Sequence, residues 1–121
     1  MKHFEVRITE EERRKCKKVT EAFEEYFDEM EDTVVVDAGK FGYLWLRWFN
    51  NGEFDGQDFF SQSEDLFEAL WEAWKEHHLL TPVLGTPMAE LEYDELYARL
   101  TPEQKNGFEL KKAYFRKRAF G

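Results

Sequence analysis

Residues 41–49 read FGYLWLRWF, five aromatics in nine positions, two of them tryptophan. A β-branched run over 33–36 precedes the stretch and Asn51-Gly52 follows it, so it predicts the central strand of an antiparallel meander. On its first side Ala38-Gly39 supplies a tight turn, which would set Asp37 opposite Lys40 and Val36 opposite Phe41. On its second side a two-residue turn at Asn51-Gly52 would pair Phe49 with Phe54, Arg47 with Gly56, Trp45 with Asp58 and Tyr43 with Phe60. The third strand is polar and broken by glycine, as an edge strand is.

That register makes both faces of the sheet apolar. Val34, Val36, Phe41, Tyr43, Trp45, Phe49, Phe54 and Phe60 fall on one face, and Val35, Leu44, Leu46, Trp48 and Phe59 on the other. A strand apolar on both sides is normally covered on both sides. Helices can cover one face. Residues 88–120 are the expected cover of the second, with a partner protein, a second copy of the chain or a ligand as the alternatives.

Two amphipathic helices flank the meander. Thr9 and Glu12 form a capping box, and Cys16, Val19, Phe23, Tyr26, Phe27 and Met30 recur at helical spacing, predicting a helix from 9 to about 31. Ser61 or Ser63 caps the second, with Leu66, Phe67, Leu70, Trp71 and Trp74 inside and Glu64, Glu68, Glu72 and Glu76 outside. Residues 3–8, HFEVRI, alternate as a half-buried strand. TPVLGTP at 81–87 breaks the second helix, and two short C-terminal helices follow, the last opened by Thr101-Pro102. The expected fold is α+β: a small antiparallel sheet, a three-strand meander with an N-terminal strand as a further member, packed on two amphipathic helices. The chain is expected to be a single domain over 1–121 with a loop break at 81–87.

Composition narrows the partners. With 17 basic and 26 acidic residues the net charge is -9, which repels nucleic acid and anionic lipid. The tail from Lys105 runs against this, with six basic residues and one acidic, and is expected to dock on acidic surface of its own chain or of a neighbouring copy. The order helix, meander, helix over 9–80 is similar to that of double-stranded-RNA-binding domains. Those domains open their last helix with a lysine cluster, where this chain reads SQSEDLFEA, and the resemblance is rejected. One cysteine, no signal-like N-terminus and no long apolar run make a cytoplasmic location the expectation and a membrane association not one.

Catalytic chemistry has little to stand on. Asn51, Glu53, Asp55 and Gly56 match the opening of a calcium loop, but Gln62 stands where the bidentate glutamate is required. His77 and His78 are adjacent, so on a helix they diverge by about 100° and need help to chelate one ion. A metal-dependent enzyme around His77, His78 and Glu72 is the weakest reading. Cys16 lies between basic residues but on the apolar stripe, and is expected to be buried. No catalytic residue, cofactor or metal is assigned. The leading expectation is a non-enzymatic interaction or regulatory protein, using an aromatic sheet face and an acidic surface to bind another protein or itself. A small-molecule pocket built from Tyr43, Trp45, Arg47, Phe49 and Trp71 is the alternative.

Overall fold

The computed structural model describes residues 7–121, so the predicted strand over 3–8 lies, but for Arg7 and Ile8, outside the described residues. The elements are α1 (Glu10–Ala22), α2 (Glu24–Glu29), β1 (Thr33–Asp37), β2 (Tyr43–Trp48), β3 (Phe54–Phe60), α3 (Ser63–Leu80), α4 (Tyr93–Ala98) and α5 (Pro102–Phe120). Short 3-10 turns fill 39–41, 81–83 and 87–90. The sheet is antiparallel in the order β1-β2-β3, with FGYLWLRWF supplying the central strand. The fold is α+β.

The first predicted helix is two. Phe23, at φ -96° and ψ 21°, interrupts it, and its amide is shared between the carbonyls of Val19 and Thr20. The apolar stripe survives the kink: Cys16, Val19, Phe23 and Tyr26 are all buried. The predicted capping box is half present. Thr9 Oγ1 accepts from the Glu12 amide at 3.1 Å, but the Glu12 carboxylate turns away to α3.

Both predicted turns differ from the structure. Between β1 and β2 the connection spans 38–42 and pairs Asp37 with Tyr43 and Val35 with Trp45, not Asp37 with Lys40. The longer connection forms because Asp37 Oδ1 takes the Gly39 amide, and because Gly42, at φ 111°, crosses so close to the Phe60 carbonyl that a Cβ would stand 2.3 Å from its oxygen. Since the shift is odd, Val34 and Val36 change faces.

Between β2 and β3 the loop is one residue longer than expected. Gly52 donates to the Phe49 carbonyl and sits at φ 89°, and Phe49 bonds to Glu53, so the loop residues are 50–52. Trp48 therefore pairs with Phe54, and Phe49 does not. Asp55 then bulges, and from Arg47↔Gly56 onward the pairs are those expected.

With this register the inner face carries Val35, Tyr43, Trp45 and Phe60, which pack into the core with α1 and α3. Helix α5 lies against α1 and α3 rather than across the sheet. Phe115, fully buried, stacks on Phe23 at 4.4 Å and meets Trp74 edge-on at 5.5 Å. The basic tail thus docks on its own chain: Arg116 grips Glu64 through two hydrogen bonds of 2.7 and 2.9 Å, and Lys112 reaches Glu68 at 3.4 Å. Lys111 Nζ sits 2.7 Å from Glu25 Oε1, a charge contact without hydrogen-bond direction. Two residues of the acidic stripe on α3 are therefore ion-paired. At its start α5 has the full capping box, Thr101 and Gln104 bonding reciprocally at 3.1 and 2.9 Å, and it runs for 19 residues. Among the described residues no helix is long and apolar enough to cross a membrane.

Candidate functional site

The outer face of the sheet carries Val34 and Val36 from β1, Leu44, Leu46 and Trp48 from β2, and Phe54, Gln57 and Phe59 from β3. None is charged, in a chain that is 36% charged. Phe54 and Phe59 are about half exposed, at 53% and 49%, and the β2 residues between the edge strands are half-buried by their neighbours. Trp48 and Phe54 meet edge to face at 5.8 Å across the strands. Among the described residues no element covers this face. The expected cover, residues 88–120, is engaged elsewhere: Leu96 of α4 is buried beside α3, and Phe115 and Ala119 of α5 are in the helical core. Sequence reasoning anticipated a doubly apolar sheet but put Phe54 on the wrong side, because nothing in NNGEFDG distinguishes a two-residue turn from a three-residue turn followed by a bulge.

The predicted pocket residues are only partly brought together. Trp45 and Arg47 line a groove between the sheet and α3 with Tyr26, Asp58, Glu72, Glu76 and His77. Arg47 lies over the Trp45 ring at 4.7 Å and bonds Asp58 at 2.7 Å, so its charge is already answered. Tyr43 and Trp71 lie in the core, and Phe49 lines a separate depression with Glu29, Met30 and Trp48. Burial pushes the Glu76 carboxyl above its ordinary value, with the neighbouring Glu72 adding to the shift. The same cause raises the Tyr26 hydroxyl to about 12. Trp45 donates its indole N–H to Thr33 Oγ1, which in turn donates to the Leu46 carbonyl at 3.0 Å.

A second cavity, of about 500 Å³, opens where α3, α4 and α5 meet. Leu79, Val83, Met88, Leu96 and Phe108 are among the apolar residues of its wall, and Arg99 and Gln104 supply polar groups. Trp74 is also in the wall, and its buried indole N–H has no acceptor. The signal for this site was divided between TPVLGTP and two short helices, which no periodicity links.

The histidines gain a partner that the sequence did not indicate. Glu29, the last residue of α2, places Oε2 at 3.4 Å from His77 Nε2 and 3.2 Å from His78 Nε2. One ligand atom from each of the three lies within 4.8 Å of the others. Glu72, the carboxylate suggested by sequence proximity, is outside the cluster and faces the groove. His78 stacks on Trp74 at 4.0 Å, one turn earlier on α3. Cys16, fully buried, has its thiol pushed up to about 11 by desolvation, with Glu12 adding to the shift, which is the reverse of an activated thiolate.

Comparison of the chain with family models, with curated proteins and with solved structures returned no match.

Proposed function

We propose that the protein is a non-enzymatic interaction module whose outer sheet face docks on a second copy of the same chain. The observation that carries this reading is the run of Val34, Val36, Leu44, Leu46, Trp48, Phe54 and Phe59 on one side of the sheet, relieved only by Gln57. Extended apolar surface of this kind mostly marks an interface. A copy suits it because an uncharged face meets itself without opposing like charges, although each chain carries -9 overall. Two such sheets would stack face to face with the roughly 10 Å spacing of a β-sandwich. The long-range repulsion between copies is screened beyond about 8 Å at physiological salt.

Sedimentation equilibrium from micromolar to millimolar protein tests the proposal. The wild type is expected to self-associate, and Leu46→Glu to remain monomeric with an unchanged circular dichroism spectrum. A wild type that stays monomeric throughout overturns it.

A second reading is supported by the cavity between α3, α4 and α5, whose volume falls within the range of small-molecule sites. The buried Trp74 N–H without an acceptor favours an apolar ligand with one acceptor atom. Tryptophan fluorescence titrated with small aromatic and aliphatic carboxylates tests it; a flat response across the series counts against it.

A further inference from the structure

We propose that Glu29, His77 and His78 form a binding site for a zinc-class divalent cation, with a coordination position left open to solvent. This does not rest on the docking face, which is formed by other residues.

The two distances from the carboxylate to the histidines suit a metal, and the three ligand atoms all lie within 4.8 Å of one another. With metal–ligand bonds of about 2.0–2.1 Å, the edges of a tetrahedron are roughly 3.3–3.5 Å. The Glu29 Oε2 contacts to His77 and His78, at 3.4 and 3.2 Å, lie at or close to that length. Two imidazoles and a carboxylate form a recognised donor set for zinc, and imidazole also suits cobalt, nickel and copper.

Direction provides an independent indication. His78 Nε2 is shut off from solvent and lacks a hydrogen-bond partner, despite lying 3.2 Å from a carboxylate oxygen. The nitrogen is close to the oxygen but not aimed at it. Two ligands of one ion stand off-line to each other in this way, each aimed at the metal rather than at its neighbour. The arrangement leaves the nitrogen unsatisfied until something occupies the shared point.

The scaffold supports the same reading. Adjacent histidines diverge on a helix, but the long imidazole arms bring their rings to 5.2 Å, and α2 delivers the carboxylate that closes the set. Stacking on Trp74 holds the His78 ring. Both histidines stand in the last turn of α3, an 18-residue helix whose carbonyl end favours a cation. The three side chains are each about a third or more exposed, at 32%, 34% and 40%, leaving room for a water or an exchangeable ligand.

The experiment titrates the full chain, stripped of metal, with Zn²⁺ by calorimetry and with Co²⁺ by visible absorption. One equivalent is expected to bind, with cobalt d–d bands of tetrahedral or five-coordinate intensity. Glu29→Gln and His77→Ala should each weaken binding at least tenfold. His78→Phe, which keeps the ring on Trp74 but removes the donor, should do the same. Glu72→Gln and Cys16→Ser should change it less than twofold. Absence of stoichiometric binding overturns the proposal, as does binding unaffected by Glu29→Gln and His78→Phe, which would assign the cluster to ion pairing alone.

Discussion

Glu12 of α1 accepts both the backbone N–H and the hydroxyl of Ser63, the first residue of α3, each at 2.9 Å. A residue from one helix therefore does the work of a cap on another, 51 positions away. Helix α3 has no side-chain cap of its own, since Gln62 stands at the cap position without a bond and Ser63 is buried inside the first turn. The Ser63 amide, with help from the hydroxyl and Lys15, holds the Glu12 carboxyl below its ordinary 4.5 against the opposing effect of burial.

Removing this cap should cost stability. Glu12→Ala is expected to lower the unfolding free energy by about 1 kcal/mol, the usual worth of a helix cap. Because the folded-state pKa is depressed, the contribution is fully present above 4.5 and is lost as pH falls through the lower folded value. Urea denaturation should show a gap between wild type and Glu12→Ala at pH 7 that narrows at pH 3. An equal gap at both values would assign the loss to packing.

The aromatic contact between α5 and the rest of the core sets a larger cost. Phe115 is fully buried against Phe23, Trp71 and Trp74. Phe115→Ala should destabilise by about 3–5 kcal/mol, as large aromatic deletions do. Leu110→Ala on the same helix, 63% exposed, should stay within about 0.5 kcal/mol. Chemical denaturation of both variants checks the contrast.

Two glycines predict opposite signs. Gly42→Ala meets both a φ of 111° and the Phe60 carbonyl, and should cost roughly 2–3 kcal/mol or prevent folding. Gly107 lies within α5 with open space where a Cβ would stand, so Gly107→Ala should raise stability by about 0.5–1 kcal/mol. Thermal melts of the pair would show the midpoint falling for one and rising for the other.

The buried thiol predicts both reactivity and pH response. Cys16 should react with an aromatic disulfide reagent only on unfolding, giving a slow native rate and a fast one in denaturant. Its pKa is raised from 9.0 to about 11 in the folded chain, so its contribution is intact below 9 and is lost as pH rises towards 11. Cys16→Ala should flatten that alkaline loss in a denaturation series.

The helices were legible because periodicity is a local property: Leu66, Phe67, Leu70, Trp71 and Trp74 are all buried, as their spacing requires. The central strand was legible for the same reason; the register from Arg47↔Gly56 onward agrees because the bulge at Asp55 offsets the extra loop residue. What sequence could not supply were distances set by tertiary contacts. The Asp37 carboxylate bonds Arg13 at 2.7 Å and the Gly39 amide at 2.8 Å, which lengthens the first turn, whereas local pairing favoured Lys40. Glu29 joins the histidines only because α2 ends beside the last turn of α3, while Glu72 was the carboxylate within reach along the chain. That no described element covers the outer face depended on where α5 settled, and α5 was drawn to the helices by Phe115 and by the Arg116–Glu64 pair.

The bulge at Asp55 also determines how the hairpin would tolerate changes in length. The three-residue loop already pairs Phe49 with Glu53 and Trp48 with Phe54, and Asp55 is the unpaired residue before Gly56 opposite Arg47. Excising Asp55 would therefore leave a regular ladder in which every later side chain keeps its face. Excising Gln57 or Asp58 would turn Phe59 inward and Phe60 outward, since a one-residue slip inverts a strand. Length variants of this chain should thus concentrate at position 55, where a deletion leaves the reading frame of the sheet intact.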